Sequence, residues 1–173
     1  GEAVVGAFLD DYYASIGVPP ACASLAGYCT HFRKQMATWL IVPVLMARRQ
    51  AADDGLAAGL QRALESFGVA WRLLDDLKDI ESDMLNSSHS AIYTCLPEDI
   101  RVHWDTDRPT KNDRLIEMIL DYIREQQVMH TILERIRNEL ESAASIVDGF
   151  HLNRLANEFR SLLKPLKNGQ DAV

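Results

Sequence analysis

The most informative segment of the sequence is Phe67-Gly68-Val69-Ala70-Trp71-Arg72-Leu73-Leu74-Asp75-Asp76-Leu77-Lys78-Asp79. Apolar residues recur in it every three or four positions, which predicts an amphipathic helix. On such a helix Asp75 and Asp79 lie on one face, with Asp76 beside them around the turn. Between Asp75 and Asp83 there are five acidic residues and one lysine, a net charge of −4 out of −7 for the whole chain. More than half of the charge imbalance therefore lies in about two helical turns.

Composition excludes several classes of protein. A chain of 173 residues that is 47% apolar and carries a net charge of −7 can bury a core, and it lacks the basic surface that nucleic acid requires. The longest apolar run, Trp39–Ala47, is interrupted by Pro43, so no transmembrane helix is predicted. The first residues, Gly1-Glu2-Ala3, lack a basic region, so no secretory signal is predicted. Cys22, Cys29 and Cys95 lack the spacing of zinc ligands, which favours reduced, mostly buried thiols and a cytoplasmic location.

Helical periodicity continues along the rest of the chain, and no alternating pattern typical of strands is found. Helices are predicted from the N-terminus to Gly17, from about Cys22 to Gln50 with a kink at Pro43, from Asp53 or Asp54 to about Met84, through Ile100 and Trp104, over 112–146, and from Leu152 to Lys164-Pro165. Loops are predicted at Val18-Pro19-Pro20, Asn86–Ser90 and Thr106–Lys111, and Asp148-Gly149 ends the long helix. The predicted fold class is therefore all-α.

The aspartates need something to offset their repulsion, because stacked like charges destabilise a helix by roughly 0.2–0.5 kcal/mol per pair. Mg²⁺ could do so, since it takes carboxylate and water oxygens and completes its shell with substrate phosphates. The alternative is a solvated acidic face with Arg72 and Lys78 as local partners. The segment is no EF-hand loop, because its flanks are helical and it lacks the required glycine and final glutamate.

The same segment resembles the second aspartate-rich motif of the trans-isoprenyl diphosphate synthases, G-x-A-F-Q-x-x-D-D-x-x-D. Trp71 stands at the Phe of that motif and Arg72 at its Gln. Five positions match in register: Gly68, Ala70, Asp75, Asp76 and Asp79. The resemblance implies an antiparallel helical bundle of the isoprenoid synthase type.

Two features depart from the family. The first aspartate-rich motif is absent, because Asp10-Asp11 is not followed by a third aspartate, and the basic Gly-Lys loop after the second motif is missing. Residues 1–173 are therefore expected to match the C-terminal part of one isoprenoid synthase-like domain. The N-terminal half would belong to the same or a separate chain, and a homodimer stays open.

The resemblance implies a Mg²⁺-dependent prenyltransferase that ionises an allylic diphosphate and condenses it with a homoallylic one. Asp75, Asp76 and Asp79 would be the metal ligands, directly or through water. Trp71 would line the hole for the prenyl chain, or belong to the core. Arg72 would pair with an aspartate or reach the diphosphate.

The family places a Lys-Thr pair about 40 residues before the aspartates, and here that region holds Arg33 and Lys34. One of these two bases is expected to face the diphosphate, and a surface position is the alternative. His89 and Tyr93 follow the acidic segment and could also reach the site.

Two other functions stay open. One is a non-catalytic helical partner subunit that retains the aspartate motif. The other is a relative that performs head-to-head condensation or terpene cyclisation. The absence of an Asn-Asp-x-x-Ser-x-x-x-Glu pattern argues against the cyclase.

Overall fold

The computed structural model describes residues 2–16, 24–51, 54–106 and 113–168, and this part of the chain is helical without any strand. The all-α prediction is confirmed, whereas the isoprenoid synthase type of bundle stays a prediction. No helix in the described ranges is both long and apolar enough to cross a membrane. The helices are α1 (Glu2–Ile16), α2 (Leu25–Gln35), α3 (Ala37–Ala51), α4 (Asp54–Lys78), α5 (Ile80–Leu85), α6 (Ala91–Cys95), α7 (Glu98–Trp104), α8 (Asp113–Glu125), α9 (Val128–Gly149) and α10 (Asn153–Asn168).

Helix α4 is central to the fold. It packs along α9 on one side and α3 on the other, while α10 covers α9. The main core fills the space between α4, α9 and the short helices α6 and α7, and its largest fully buried side chains include Leu73, Ile92, Trp104, Ile132 and Leu140. The acidic end of α4 therefore extends from a well-packed helix.

The segment predicted as one helix from about Cys22 to Gln50 is two helices. The break comes at Met36 and not at Pro43, which lies inside α3. Ser24 caps α2 by accepting a hydrogen bond from the Gly27 N–H at 3.2 Å. The turn at Met36 lets this side chain lie directly over Gly68 of α4, where a Cβ atom would overlap it. The predicted break at Val18-Pro19-Pro20 lies outside the described residues.

The helix predicted to run to about Met84 is interrupted at Asp79, which separates α4 from α5. Asp79 has φ −99° and ψ 15°, values outside the α-helical range. Its N–H still donates to the Asp75 carbonyl at 3.1 Å, and its carbonyl accepts from the Asp83 N–H at 2.8 Å. The break is therefore a local change of direction within the acidic segment. The predicted loop at residues 86–90 follows α5.

The long helix predicted over 112–146 is also two helices, α8 and α9. Gln127 between them adopts a left-handed conformation, with φ 52°. The turn lets α8 place Ile119 and Ile123 in the core while α9 runs along α4. The predicted end at Gly149 is confirmed, and α10 continues past Pro165 to Asn168. The predicted loop at Thr106–Lys111 lies, beyond Thr106, outside the described residues.

The two described cysteines are free thiols. Cys29 is buried and Cys95 is partly buried. Burial raises the pKa of both thiols, so neither is activated as a nucleophile. Cys22 lies outside the described residues.

Candidate functional site

The three predicted metal ligands have different environments. Asp75 and Asp79 are exposed, four residues apart at the end of α4. Asp76 points into the protein and is only 2% exposed. The carboxylates of Asp75 and Asp79 are therefore accessible to solvent, whereas that of Asp76 is buried.

Asp76 is paired with groups from three helices. The backbone N–H of Ala91, the first residue of α6, donates to Asp76 Oδ2 at 2.8 Å. Arg72 Nε lies 3.0 Å from Asp76 Oδ1 and donates at 2.9 Å to the hydroxyl of Tyr28 on α2. The Tyr28 hydroxyl is in turn placed to donate to Asp76. The carboxylate thus joins α4, α2 and the start of α6.

Burial determines the ionisation of this group. It raises the pKa of Asp76 above its ordinary value, and the bond from Ala91 and the charge of Arg72 offset only part of that effect. Burial also raises the pKa of Tyr28, with the charge of Asp76 adding to it. The pKa of Arg72 is lowered by burial but raised further by Tyr28 and Asp76, so it stays charged. Asp83, one turn beyond Asp79, also has its pKa raised by burial.

The acidic turn presents two exposed carboxylates, those of Asp75 and Asp79. Among the described residues, no three His, Cys, Asp or Glu side chains gather closely enough to hold a metal ion by themselves. Mg²⁺ needs only one or two carboxylates when water and substrate phosphates complete its shell. Asp75 and Asp79 are exposed, so their carboxylates are accessible from solvent. The oxygens of Asp76 are already bonded to Ala91 and Arg72, and its assignment as a ligand stays a prediction.

An open, largely apolar cavity of about 680 Å³ lies one turn before the aspartates. Helices α1 to α4 all contribute to it, and its size is typical of sites for small organic ligands. Trp71 belongs to the wall and is 59% exposed, so the core alternative for this residue is wrong. The lining residues are Tyr12, Phe32, Gln35, Met36, Trp39, Phe67, Gly68 and Trp71.

Cations lie over the aromatic walls of this cavity. The guanidinium carbon of Arg72 is 5.8 Å from the centroid of the Phe32 ring. The ammonium of Lys78 is 5.9 Å from the centroid of the Trp71 ring. Both distances lie within the range of cation–π attraction. Lys78, which sequence reasoning treated only as a local partner, therefore also contacts the cavity wall at Trp71.

The upstream bases lie elsewhere. Arg33 donates to Glu139 of α9, a carboxylate that also accepts two bonds from Arg135. Arg33 therefore joins α2 to α9, and no hydrogen bond or ion pair within the described residues joins it to the aspartates. The expectation that one of the two bases faces the diphosphate stays a prediction. Lys34 is exposed, and no hydrogen bond or ion pair joins it to the aspartates within the described ranges.

The loop after the acidic turn is held by aromatic contacts. The His89 ring stacks on Tyr93 with centroids 4.0 Å apart, and both side chains bond Asp105, at 2.9 and 2.8 Å. Trp104 Nε1 donates to the Ser88 carbonyl at 3.1 Å. Through their bonds to Asp105, His89 and Tyr93 hold the loop that brings the Ala91 N–H to Asp76.

Comparison of the chain with protein-family models, curated proteins and solved structures finds no match. The resemblance to the trans-isoprenyl diphosphate synthases therefore stays a prediction. The cavity and the acidic turn beside it are the observations on which a function can be argued.

Proposed function

We propose that this chain contributes the prenyl-diphosphate site of a Mg²⁺-dependent prenyltransferase. One observation carries the proposal: the cavity wall on α4 is followed directly along the chain by two exposed carboxylates, Asp75 on α4 and Asp79 at the break after it. Gly68 and Trp71 line the cavity, and Asp75 begins the acidic turn one helical turn later. A prenyl diphosphate fits this arrangement, because its apolar chain is bonded directly to an anionic head group.

The cavity would hold the prenyl chain. Its walls are aromatic and sulfur-containing side chains, and Gln35 is its one amide. Each methylene group transferred from water into such a site contributes about 0.8 kcal/mol. The aromatic ring of Trp39 would also stabilise the allylic cation through its quadrupole, whereas the rings of Phe32 and Trp71 already carry Arg72 and Lys78.

The acidic turn would hold the diphosphate. Asp75 and Asp79 would bind Mg²⁺ together with phosphate oxygens, and the ion, when bound, neutralises the charge of the leaving diphosphate. Lys78 would add a positive charge beside the cavity. Arg72 acts through Asp76, since its guanidinium is already paired with that carboxylate. Asp76 and Arg72 are thus positioning residues.

The test is a thermal-shift matrix. The chain is melted with Mg²⁺ alone, with inorganic diphosphate alone, with both, and with Mg²⁺ plus a farnesyl thiodiphosphate that cannot ionise readily. A ligand held only by the folded chain raises the midpoint by mass action. We expect a shift with Mg²⁺ and diphosphate together that neither gives alone, and a larger shift with the farnesyl compound.

Matched variants locate the site. Asp79→Asn should abolish the joint shift, because it removes one of two ligands from an exposed position without a side-chain cap bond. Glu81→Gln changes the same charge two residues away and should leave the shift intact. Trp71→Ala should reduce only the extra shift of the farnesyl compound. No joint shift with the unaltered chain, or equal effects of Asp79→Asn and Glu81→Gln, would overturn the proposal.

The second candidate is a non-catalytic partner subunit. It is favoured by Arg72, which compensates Asp76 at 3.0 Å and lies 3.9 Å from Asp75. A cation held there competes with a metal. This function predicts that the farnesyl compound raises the midpoint equally with and without Mg²⁺.

A further inference from the structure

An open groove of about 430 Å³ lies between helices α7 and α8. It shares no residue with the aromatic cavity or with the acidic turn. Helix α7 contributes Ile100, and α8 contributes the rest of the lining: Arg114, Glu117, Met118, Asp121, Tyr122 and Glu125. Along α8 these positions recur every three or four residues, so they lie on one face of the helix. We call them the groove face of α8.

Packing within the chain explains the opposite side of α8. Ile119 and Ile123 are buried in the main core, and Ile116 and Leu120 pack against it. These apolar side chains hold α8 in the fold. The charged residues of the groove face are not needed for that attachment, so their arrangement calls for a separate explanation.

The floor of the groove is apolar. Ile100 and Tyr122 line the groove and also pack against the main core. Met118, one turn before Tyr122, is 37% exposed. Apolar side chains at this helical spacing are the surface that receives the apolar face of another helix, and methionine adapts its shape to such a partner.

A row of carboxylates borders this floor. Glu117, Asp121 and Glu125 repeat every four residues and are exposed, a spacing at which like charges destabilise a helix. Arg124 pairs with Asp121 at 2.7 Å, but its side chain is 74% exposed. No ion pair formed within the described residues uses Glu117 or Glu125. The row therefore keeps a negative charge that a cationic partner can neutralise.

We propose that this groove is a docking site for a basic amphipathic helix of a partner protein. Apolar side chains of the partner enter between Ile100, Met118 and Tyr122, and its lysines or arginines pair with the row of carboxylates. This is the helix-in-groove mode of recognition, with electrostatic complementarity setting the choice of partner. The proposal does not depend on the prenyl-diphosphate site.

The order of charges along the groove face specifies the partner. Carboxylates four residues apart are separated by roughly 6 Å along α8, and basic residues at every fourth position of a facing helix have the same spacing. Arg114 precedes Glu117 by three residues and reverses the sign of the charge at that end. The partner helix therefore carries an acidic residue opposite Arg114, followed by three basic residues.

Other occupants fit this groove less well. An extended peptide needs an exposed sheet edge to pair its backbone N–H and C=O groups, whereas both walls of the groove are helices. Nucleic acids and anionic membranes would be repelled by the carboxylates.

The test uses a fluorescein-labelled synthetic peptide of about 14 residues, long enough to form a helix on binding. It carries leucines on one face and, beside them, a glutamate followed by lysines at every fourth position. Fluorescence anisotropy with the 173-residue chain measures the Kd. We expect a Kd of about 10–100 μM that rises severalfold between about 50 and 300 mM NaCl. A scrambled peptide of the same composition should bind about tenfold more weakly or worse.

Two methionine variants locate the peptide on the chain. Met118→Lys places a like charge in the floor of the groove and should raise the Kd about tenfold or more. Met129→Lys is the matched control, because Met129 is 43% exposed on α9 and does not line the groove. It should leave the Kd unchanged. Far-UV circular dichroism of both variants verifies folding.

Two charge variants test the row of carboxylates. Replacing Glu117 and Glu125 together by glutamine should raise the Kd about fivefold and reduce its dependence on NaCl. The matched control replaces Glu141 of α9 and Glu158 of α10 by glutamine. Both are exposed and lie outside the groove, so the net charge changes equally while the Kd should stay the same.

Three results would overturn the proposal: no binding of the peptide at about 500 μM chain, equal effects of the groove variants and their controls, or equal affinity for the scrambled peptide. Displacement of the peptide by spermine at the same affinity would also overturn it, because the groove would then recognise a linear polyamine.

Discussion

Replacement of Asp76 tests whether its carboxylate is a structural bridge or a metal ligand. The side chain is 2% exposed and accepts from the Ala91 N–H at 2.8 Å, with Arg72 Nε 3.0 Å away. Asp76→Ala would leave a backbone donor and a guanidinium without their acceptor. Removing one partner of a buried ion pair costs about 3–5 kcal/mol. For a chain of this length the thermal midpoint should fall by roughly 6–20 °C.

Asp76→Asn should cost much less. Burial raises the pKa of Asp76, so this site favours the neutral acid relative to water, and an amide resembles that form. The amide oxygen can still accept from Ala91. The remaining loss, about 1–2 kcal/mol, comes from Arg72, whose side chain is 39% exposed and can be partly solvated.

Urea denaturation followed by far-UV circular dichroism measures both variants, with an unchanged m-value as the sign that only stability has changed. Asp79→Asn is the matched exposed aspartate and should shift stability by less than about 0.5 kcal/mol. The reasoning is refuted if Asp76→Ala costs less than about 1 kcal/mol while the joint Mg²⁺–diphosphate shift disappears. Asp76 would then be the ligand that the sequence motif predicts.

Two further outcomes follow from the packing and from burial. In the same urea assay, Gly59→Ala should lower the free energy of unfolding by about 1–3 kcal/mol, because the new Cβ would overlap the Phe150 ring. Gly6→Ala is the control: a Cβ there meets no atom within 4 Å, so this change should raise the free energy of unfolding by about 0.5–1 kcal/mol. Equal effects would contradict the close contact at Gly59. Burial raises the pKa of Asp83 above 3.8, so the folded chain holds this proton more tightly than the unfolded chain. The protonated Asp83 side chain therefore stabilises the fold. This contribution is complete below the pKa that Asp83 has in the unfolded chain, and it is lost as the pH rises through the pKa that Asp83 has in the folded chain. Asp83→Asn should therefore flatten the fall in stability above pH of about 4, and an unchanged slope would argue against burial of this group.

Helical periodicity predicted most of the fold, because the pattern of apolar positions is local. The three breaks at Met36, Asp79 and Gln127 were missed. None of them carries glycine or proline, the residues that usually mark such interruptions. At Met36 the contact with Gly68 of another helix fits the observed turn, and at Gln127 the alignment of α9 with α4 does so. A local sequence pattern cannot predict either contact, because the contacting residues are far apart in the chain.

The candidate site, too, was predicted only in part from the sequence. The sequence alone predicted that Asp75 and Asp79 lie on one face of a helix, with Trp71 one turn before Asp75. It could do so because residues three and four positions apart are neighbours on a helix surface. Tertiary structure decided the rest. Tyr28 and Arg72 are 44 residues apart, and Arg33 and Glu139 are 106 apart. Those pairings depend on which helices pack together, and the same packing buries Asp76 as an acceptor of the Ala91 N–H. The aromatic cavity likewise exists only where α1, α2, α3 and α4 meet.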